Sequence, residues 1–158
     1  MMCAASALLT VPLSGSDFQD TTYGYTVSSP EFAAAAPGGN ILRLTVSAPP
    51  EAGFAANMGV MVQEVKTTRE QYIALSEKQF AAAGMTIRGS SKRDVSGRPA
   101  VVFDYEGQMG GRGLHFLSMA VLLPDRVLLV TYTAPASAFG ALEAEFRRSL
   151  DSFKLTGK

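Results

Sequence analysis

Short apolar runs rich in β-branched residues recur along most of the chain, each bounded by glycine, proline, serine or asparagine. This pattern predicts seven β-strands, at residues 23–28, 40–47, 58–65, 85–93, 100–106, 114–123 and 126–134. Three intervening segments, 33–39, 51–56 and 107–113, are rich in alanine, glycine and proline. We interpret these three segments as loops.

Two segments have the 3.6-residue period of an α-helix. In the first, residues 68–83, a threonine at position 67 or 68 is followed three residues later by a glutamate or glutamine, which is typical of a capping box. Gly84 follows, where a glycine often ends a helix. The apolar positions that we expect to face the core are Tyr72, Ile73, Leu75 and Phe80.

The second helical segment is Ser137–Phe153. Its large apolar residues recur at steps of three and four, which predicts one continuous apolar stripe, and they are Phe139, Leu142, Phe146, Leu150 and Phe153. Because most links between strands are too short for a parallel crossover, the sheet should be mainly antiparallel. The sequence therefore predicts an α+β fold, with a mainly antiparallel β-sheet of six to seven strands packed with two main α-helices.

The turns assign side chains to faces of this sheet. A two-residue turn at Pro124-Asp125 would place Met119 opposite Val130 and Leu117 opposite Tyr132. For the preceding hairpin we expect Glu106 to pair with Gly113. That register would place Asp104 opposite His115.

Under this assignment, both faces of the sheet carry mainly apolar side chains. Either a helix covers each face, or both helices cover one face and leave the other as an open groove. In the second case the groove would bind a protein or an apolar peptide segment of a partner. The candidate partner-binding residues are Val102, Leu117, Met119, Val130 and Tyr132.

Composition narrows the function classes. The chain has 158 residues, 47% of them hydrophobic, which indicates one folded domain over residues 17–158. Fourteen basic residues balance fourteen acidic ones, so no overall charge points to a nucleic-acid partner. A single cysteine excludes an internal disulfide, and one cysteine with one histidine excludes the usual zinc sites. We predict no metal and no cofactor.

Residues 1–16 are apolar and uncharged. The run 4–13 has the length of a signal-peptide core and is too short to span a bilayer. No basic residue precedes it, and Cys3 does not follow a lipobox. The segment is either the remnant of an export signal, which we favour, or an apolar N-terminus of the folded protein.

Four groups of residues have alternative chemical interpretations. Asp104 and His115 could form a general base, with Tyr132 nearby, or a structural hydrogen-bonded pair. Asp104 and Glu106 could bind Ca²⁺, act as the paired carboxylates of a glycosidase, or lie on a solvated strand face. Residues 66–98 carry a net charge of +4, and could steer an acidic partner or form a solvated hairpin. The glycines at 107–113 join two strands, so they do not form a phosphate-binding loop before a helix.

The segment from Gln71 to Leu155 resembles the PsbP/DcrB-like superfamily. The resemblance lies in the stretches QYIALSEKQF, DVSGRPAVVFDYEG, VLLPDRVLLVTYTAP and FRRSLDSFKL. That superfamily includes the PsbP subunit of photosystem II, envelope lipoproteins such as DcrB, a Ran-binding protein, and the Eag chaperones of type VI secretion effectors. The resemblance implies a PsbP-like fold and protein binding without common catalytic residues. Nothing in the sequence matches a manganese, calcium or chloride site.

These observations predict a non-enzymatic protein-binding module of the bacterial envelope, located outside the cytoplasm. One alternative is a cytoplasmic adaptor chaperone that shields an apolar segment of a secreted effector. A more remote alternative is a small hydrolase that uses His115. The sequence leaves the oligomeric state open, a dimer included.

Overall fold

A computed structural model describes residues 17–30, 34–37, 42–50 and 53–156. Within these ranges the chain forms ten strands and two helices. In chain order they are β1 (Asp17–Asp20), β2 (Tyr25–Ser28), β3 (Ala34–Pro37), β4 (Leu42–Ser47), β5 (Asn57–Gln63), α1 (Arg69–Ala82), β6 (Thr86–Val95), β7 (Arg98–Met109), β8 (Arg112–Leu122), β9 (Val127–Pro135), α2 (Ala136–Asp151) and β10 (Lys154–Leu155). Residues 1–16 and parts of the expected loops at 33–39 and 51–56 lie outside the described residues, as does the start of the strand predicted at 40–47.

Seven strands form one sheet in the order β3-β4-β5-β9-β8-β7-β6, and β1, β2 and β10 form a second, small sheet. All neighbouring strands are antiparallel. The predicted α+β class and the mainly antiparallel sheet are therefore confirmed. Neither helix within the described ranges has the length and hydropathy needed to cross a bilayer.

One face of the large sheet, which we call the inner face, packs against α2 and the small sheet. The apolar stripe of α2 is buried there as predicted, with Phe146 and Leu150 at its centre. Phe153 follows the helix and stacks on Tyr25 of β2, with ring centroids 5.1 Å apart. The small sheet is thereby joined to the same core, which also contains Phe18 of β1.

The opposite face, the outer face, is covered in part by α1. Thr68 caps this helix: its hydroxyl accepts a hydrogen bond from the Gln71 N–H, and the Gln71 side chain accepts one from the Thr68 N–H. The predicted capping box is therefore confirmed. One predicted core position is wrong, because Leu75 is 53% exposed and Ser76 takes the inward position beside it.

Two expected loops are partly strand. Ala34–Pro37 pairs with β4 at the edge of the large sheet. Residues 107–113 continue the hairpin between β7 and β8, which turns at Gly110-Gly111. Both glycines have positive φ angles, 61° and 76°, which a two-residue hairpin turn requires and which glycine adopts without strain. This tight turn removes the mobile loop that glycine content alone suggested.

Candidate functional site

The structure places the five predicted partner-binding residues on one face, as the turn at Pro124-Asp125 implied. Met119 pairs with Val130, and Leu117 pairs with Tyr132. This face is the inner face, and α2 covers it. All five side chains are buried, with exposed fractions of 4% or less, and they are Val102, Leu117, Met119, Val130 and Tyr132.

An open groove on this face is therefore wrong, and the five residues belong to the core. The reason is the stripe of α2, which fills the space above the sheet. Phe146 lies 5.2 Å from the Tyr132 ring, and the Tyr132 hydroxyl is 2.8 Å from the Ser149 hydroxyl. Burial raises the pKa of Tyr132 far above its ordinary value, so this phenol stays neutral. The three-layer arrangement, with a helix on each face, is the one that the chain adopts.

A cluster of charged groups lies beside α2 at the rim of the inner face. His115 Nε2 is 2.5 Å from Asp104 Oδ1, and His115 Nδ1 is 3.8 Å from Glu106 Oε1. The imidazole also stacks on the Phe139 ring, with centroids 3.6 Å apart. Arg147 of α2 donates a hydrogen bond to Asp104. The predicted contact between Asp104 and His115 is confirmed.

The register behind that contact differs from the expected one. Glu106, rather than Asp104, lies directly opposite His115, because the tight glycine turn shifts the pairing by two residues. A shift of two preserves the face on which each side chain lies. Asp104 therefore reaches His115 diagonally.

The contacts of this cluster are those of a carboxylate–histidine hydrogen bond extended by Arg147. A histidine general base keeps one ring nitrogen available for the nucleophile's proton, yet both nitrogens of His115 face carboxylates here. Among the described residues, no serine, threonine or cysteine side chain hydrogen-bonds to His115. The acidic, histidine and cysteine side chains in the same part of the chain form no group of three arranged to hold a metal ion.

The basic residues between 66 and 98 are mostly paired with acids. Arg88 binds Glu106, with 2.8 Å between nitrogen and oxygen. Arg93 binds Asp151 at 2.9 Å, and the longer contact of Lys92 with a helix glutamate is 3.8 Å. These partners lie partly outside the segment, so the net charge of +4 does not form one free basic surface.

The outer face offers an apolar surface that sequence reasoning missed. Strand pairing aligns Leu42, Met61 and Leu129 side by side across β4, β5 and β9. The same line continues into β8 and β7 through Ala120 and Val101, which are buried beneath α1. We call Leu42, Met61 and Leu129 the outer row. α1 covers this row only in part, since Leu129 packs against the cluster beneath α1 whereas Met61 is half-buried. Leu42 at its end is 42% exposed.

Polar residues and a glycine lie beside the outer row. Gly59 pairs with Thr45 on one side and Thr131 on the other, all on the outer face. Because Gly59 has no side chain, the outer face has a shallow depression at this position. A Cβ at this position would touch Leu42 at 3.4 Å. A glycine inside a strand often marks a place where another chain or ligand comes close. An apolar centre with a polar rim is also the usual build of a protein interface.

Three solved structures are similar to this one over nearly the whole chain. Cyanobacterial PsbP from Synechocystis matches with a TM-score of 0.68 at 15% identity, over 98% of each chain. The Pseudomonas aeruginosa protein PA94, of unknown function, matches with a TM-score of 0.66 at 15% identity, over 92% of this chain and 98% of its own. This chain has the PsbP-like fold.

A third PsbP-like match is LpqN of Mycobacterium tuberculosis, a protein involved in cell envelope biogenesis. Its TM-score is 0.63 at 11% identity, over 94% of this chain and 87% of its own. No protein-family model and no curated protein sequence matches the chain. The PsbP-like neighbours therefore establish the fold, and the function rests on the surfaces of this molecule.

Proposed function

We propose that this protein is a non-enzymatic protein-binding module of the bacterial envelope, which holds an apolar segment of a partner protein against its outer face. The observation that carries this proposal is the outer row. Leu42, Met61 and Leu129 form one apolar line in register, and α1 leaves Leu42 exposed and Met61 half-buried. This site replaces the groove expected on the inner face.

The outer row suits an apolar segment of limited length. α1 flanks it on one side through Tyr72, whose hydroxyl donates a hydrogen bond to Gln63 at 2.8 Å. Thr45 and Thr131 supply hydroxyls for the polar groups of a bound backbone. The methionine side chain adapts its shape to different partners more easily than a branched one does. Burying such side chains stabilises a complex by roughly 1.5–3 kcal/mol each.

The envelope location is supported by two observations. LpqN, which shares the fold, is involved in cell envelope biogenesis. Residues 1–16 are apolar and include a run with the length of a signal-peptide core. The intact mass of the protein from its native host tests this part. A mass without these residues, or one with a lipid attached, would support export. A full-length mass would favour the cytoplasmic adaptor chaperone, which could use the same outer row.

The binding site is tested with charge substitutions. Leu42→Asp and Met61→Asp should each weaken partner capture by tenfold or more, because an interface cannot bury an unpaired carboxylate cheaply. Leu75→Asp is the matched control, since Leu75 is an exposed leucine on α1, outside the outer row. Capture is measured in the native host by affinity purification and mass spectrometry. A partner retained equally by all three folded variants would contradict the site.

A hydrolase that uses His115 is the competing proposal, and the short contact with Asp104 is what favours it. His115→Gln separates the two functions. A binding module should keep its partner, whereas a histidine-dependent hydrolase should lose its activity. Hydrolysis of ester substrates by the unmodified protein, abolished in the variant, would overturn the non-enzymatic proposal.

A further inference from the structure

A pocket of about 710 Å³ opens at one end of the molecule, away from the outer row. It lies where the β1–β2, β6–β7 and β8–β9 turns meet the last strand. Its volume falls in the range of small-molecule sites, roughly 300–1,000 Å³. Its lining includes the side chains of Tyr23, Ser96, Arg98, Leu123, Asp125, Arg126 and Leu155.

Arg98 is the distinctive group in this pocket. Of the arginines in the described ranges, it is the one whose side chain makes no ion pair, hydrogen bond or ring contact. The others are held by carboxylates, by backbone carbonyls or by aromatic rings. Its side chain is half-buried, on the first residue of β7. A guanidinium in this position is free to bind a ligand with its planar set of donors.

Tyr23 also lines the pocket, and cation–π contacts hold its ring in place. The Tyr23 ring has the Arg43 guanidinium 4.9 Å from its centroid and the Arg126 guanidinium 5.1 Å from it. Arg126 also pairs with Asp125 at 3.1 Å. Arg126 is therefore partly neutralised, and Arg98 is the principal anion-binding group.

Apolar side chains complete the pocket. Leu123 and Leu155 line the pocket together with Tyr23, and Ser96 adds a hydroxyl. We propose that this pocket binds a carboxylate joined to an apolar group. Arg98 donates paired hydrogen bonds to the carboxylate, and Tyr23 with the two leucines contacts the apolar part. This site is independent of the protein-binding role.

Benzoate is the probe for this proposal, with benzamide as its neutral counterpart. Titration of the full chain, followed by amide shifts in an NMR spectrum, should show saturable changes at the three turns with benzoate alone. Arg98→Gln should weaken benzoate binding by about tenfold or more, since the charge-assisted hydrogen bonds to the carboxylate are lost. Asp125→Asn should strengthen it about twofold to fivefold, because a repelling charge is removed.

Arg88→Gln is the matched control, since it removes an arginine from the same hairpin that is paired with Glu106 outside the pocket. The Arg88→Gln variant should bind benzoate with the same affinity as the unmodified protein. Equal responses to benzoate and benzamide, or equal affinity in the Arg98 and Arg88 variants, would overturn the proposal. So would saturable binding of inorganic phosphate in preference to benzoate.

The carboxylate could belong to a free organic acid or to the C-terminus of a peptide. The tripeptide Ala-Leu-Phe, with a free and with an amidated C-terminus, separates these sources. Tighter binding of the free tripeptide than of benzoate assigns the site to chain ends. Tighter binding of benzoate assigns it to small acids. If neither probe binds at millimolar concentration, the pocket is not a carboxylate site.

Discussion

The two faces of the large sheet share the same strands, yet they are covered to different depths. On the inner face α2 buries Phe139, Phe146 and Leu150 almost completely. On the outer face α1 contributes Tyr72, Ile73 and Phe80, and all three remain half-buried. The inner cluster spans both sheets, whereas the outer one is confined to part of the large sheet.

This difference shows that an apolar sheet face is not by itself a binding site. The inner face is the more apolar of the two, and it is core because α2 matches it with a stripe of aromatic and aliphatic side chains. The outer face is less apolar but offers surface, since α1 reaches only part of the width of the sheet. Accessible surface therefore depends on the covering helix more than on the strands.

A charge placed on each face is the strongest test of this contrast. Met119→Asp buries a carboxylate at a position that is 0% exposed, and it should cost more than about 4 kcal/mol and leave the protein unfolded. Met61→Asp lies on the outer face, where water reaches the side chain, and should cost less than about 1 kcal/mol. Urea unfolding followed by circular dichroism measures both. A folded Met119 variant would show that α2 can leave the inner face.

Truncation of one phenylalanine on each helix gives a smaller but more graded test. Phe146→Ala removes a fully buried ring that contacts Tyr132 and Phe139, and about 3–5 kcal/mol of unfolding free energy should be lost. Phe80→Ala removes a half-buried ring stacked on Tyr105 at 4.2 Å, and the loss should be about 2 kcal/mol. Equal losses in chemical denaturation would mean that α1 is packed as firmly as α2.

Much of the inner face could be predicted from the sequence, because a short turn between neighbouring strands determines which residues pair. The turn at Pro124-Asp125 has two residues, so it fixes the register of β8 and β9 and places Met119 opposite Val130. The predicted register of β7 and β8 is wrong by two residues, because the two-residue turn at Gly110-Gly111 is tighter than the mobile loop that the glycines suggest. Asp104 and His115 are nevertheless in contact. Side chains in a strand alternate with a period of two, so a shift of two residues keeps both on the same face.

The outer row could not be predicted from the sequence. Leu42 and Leu44 are two residues apart, so simple alternation puts them on the same face. A register shift at Arg43 instead places Leu42 opposite Met61 and Leu44 opposite Val60, on opposite faces. Bulges of this kind leave no clear sequence signal. Which face α2 covers was also undetermined, because both faces of β7 and β8 are apolar.

The two sides of the sheet also differ in the burial of their ion pairs, and this difference should have the smallest effect on stability. Asp20, in the small sheet that completes the inner core, is 3% exposed and pairs with Arg43 at 2.7 Å. Burial opposes its ionisation, but the hydrogen bonds from Arg43 and from backbone N–H groups outweigh burial and lower the pKa of Asp20. On the outer side, Glu70 and Lys92 are 3.8 Å apart and well exposed.

Asp20→Asn should therefore lower the unfolding free energy by about 2 kcal/mol at pH 7, since a charge-assisted pair is lost. Because the pKa of Asp20 is lower in the folded protein than in the unfolded chain, the stabilisation is present above about pH 4 and disappears as the pH falls through the folded value. The unmodified protein and the variant should converge in acid. Glu70→Gln should change stability at neither pH, as expected for an exposed pair. Urea unfolding from pH 7 to pH 2 measures this difference in unfolding free energy between Asp20→Asn and the unmodified protein. A difference that stays constant over this range would show that Asp20 stabilises the protein through packing of the β1–β2 turn and not through its buried charge.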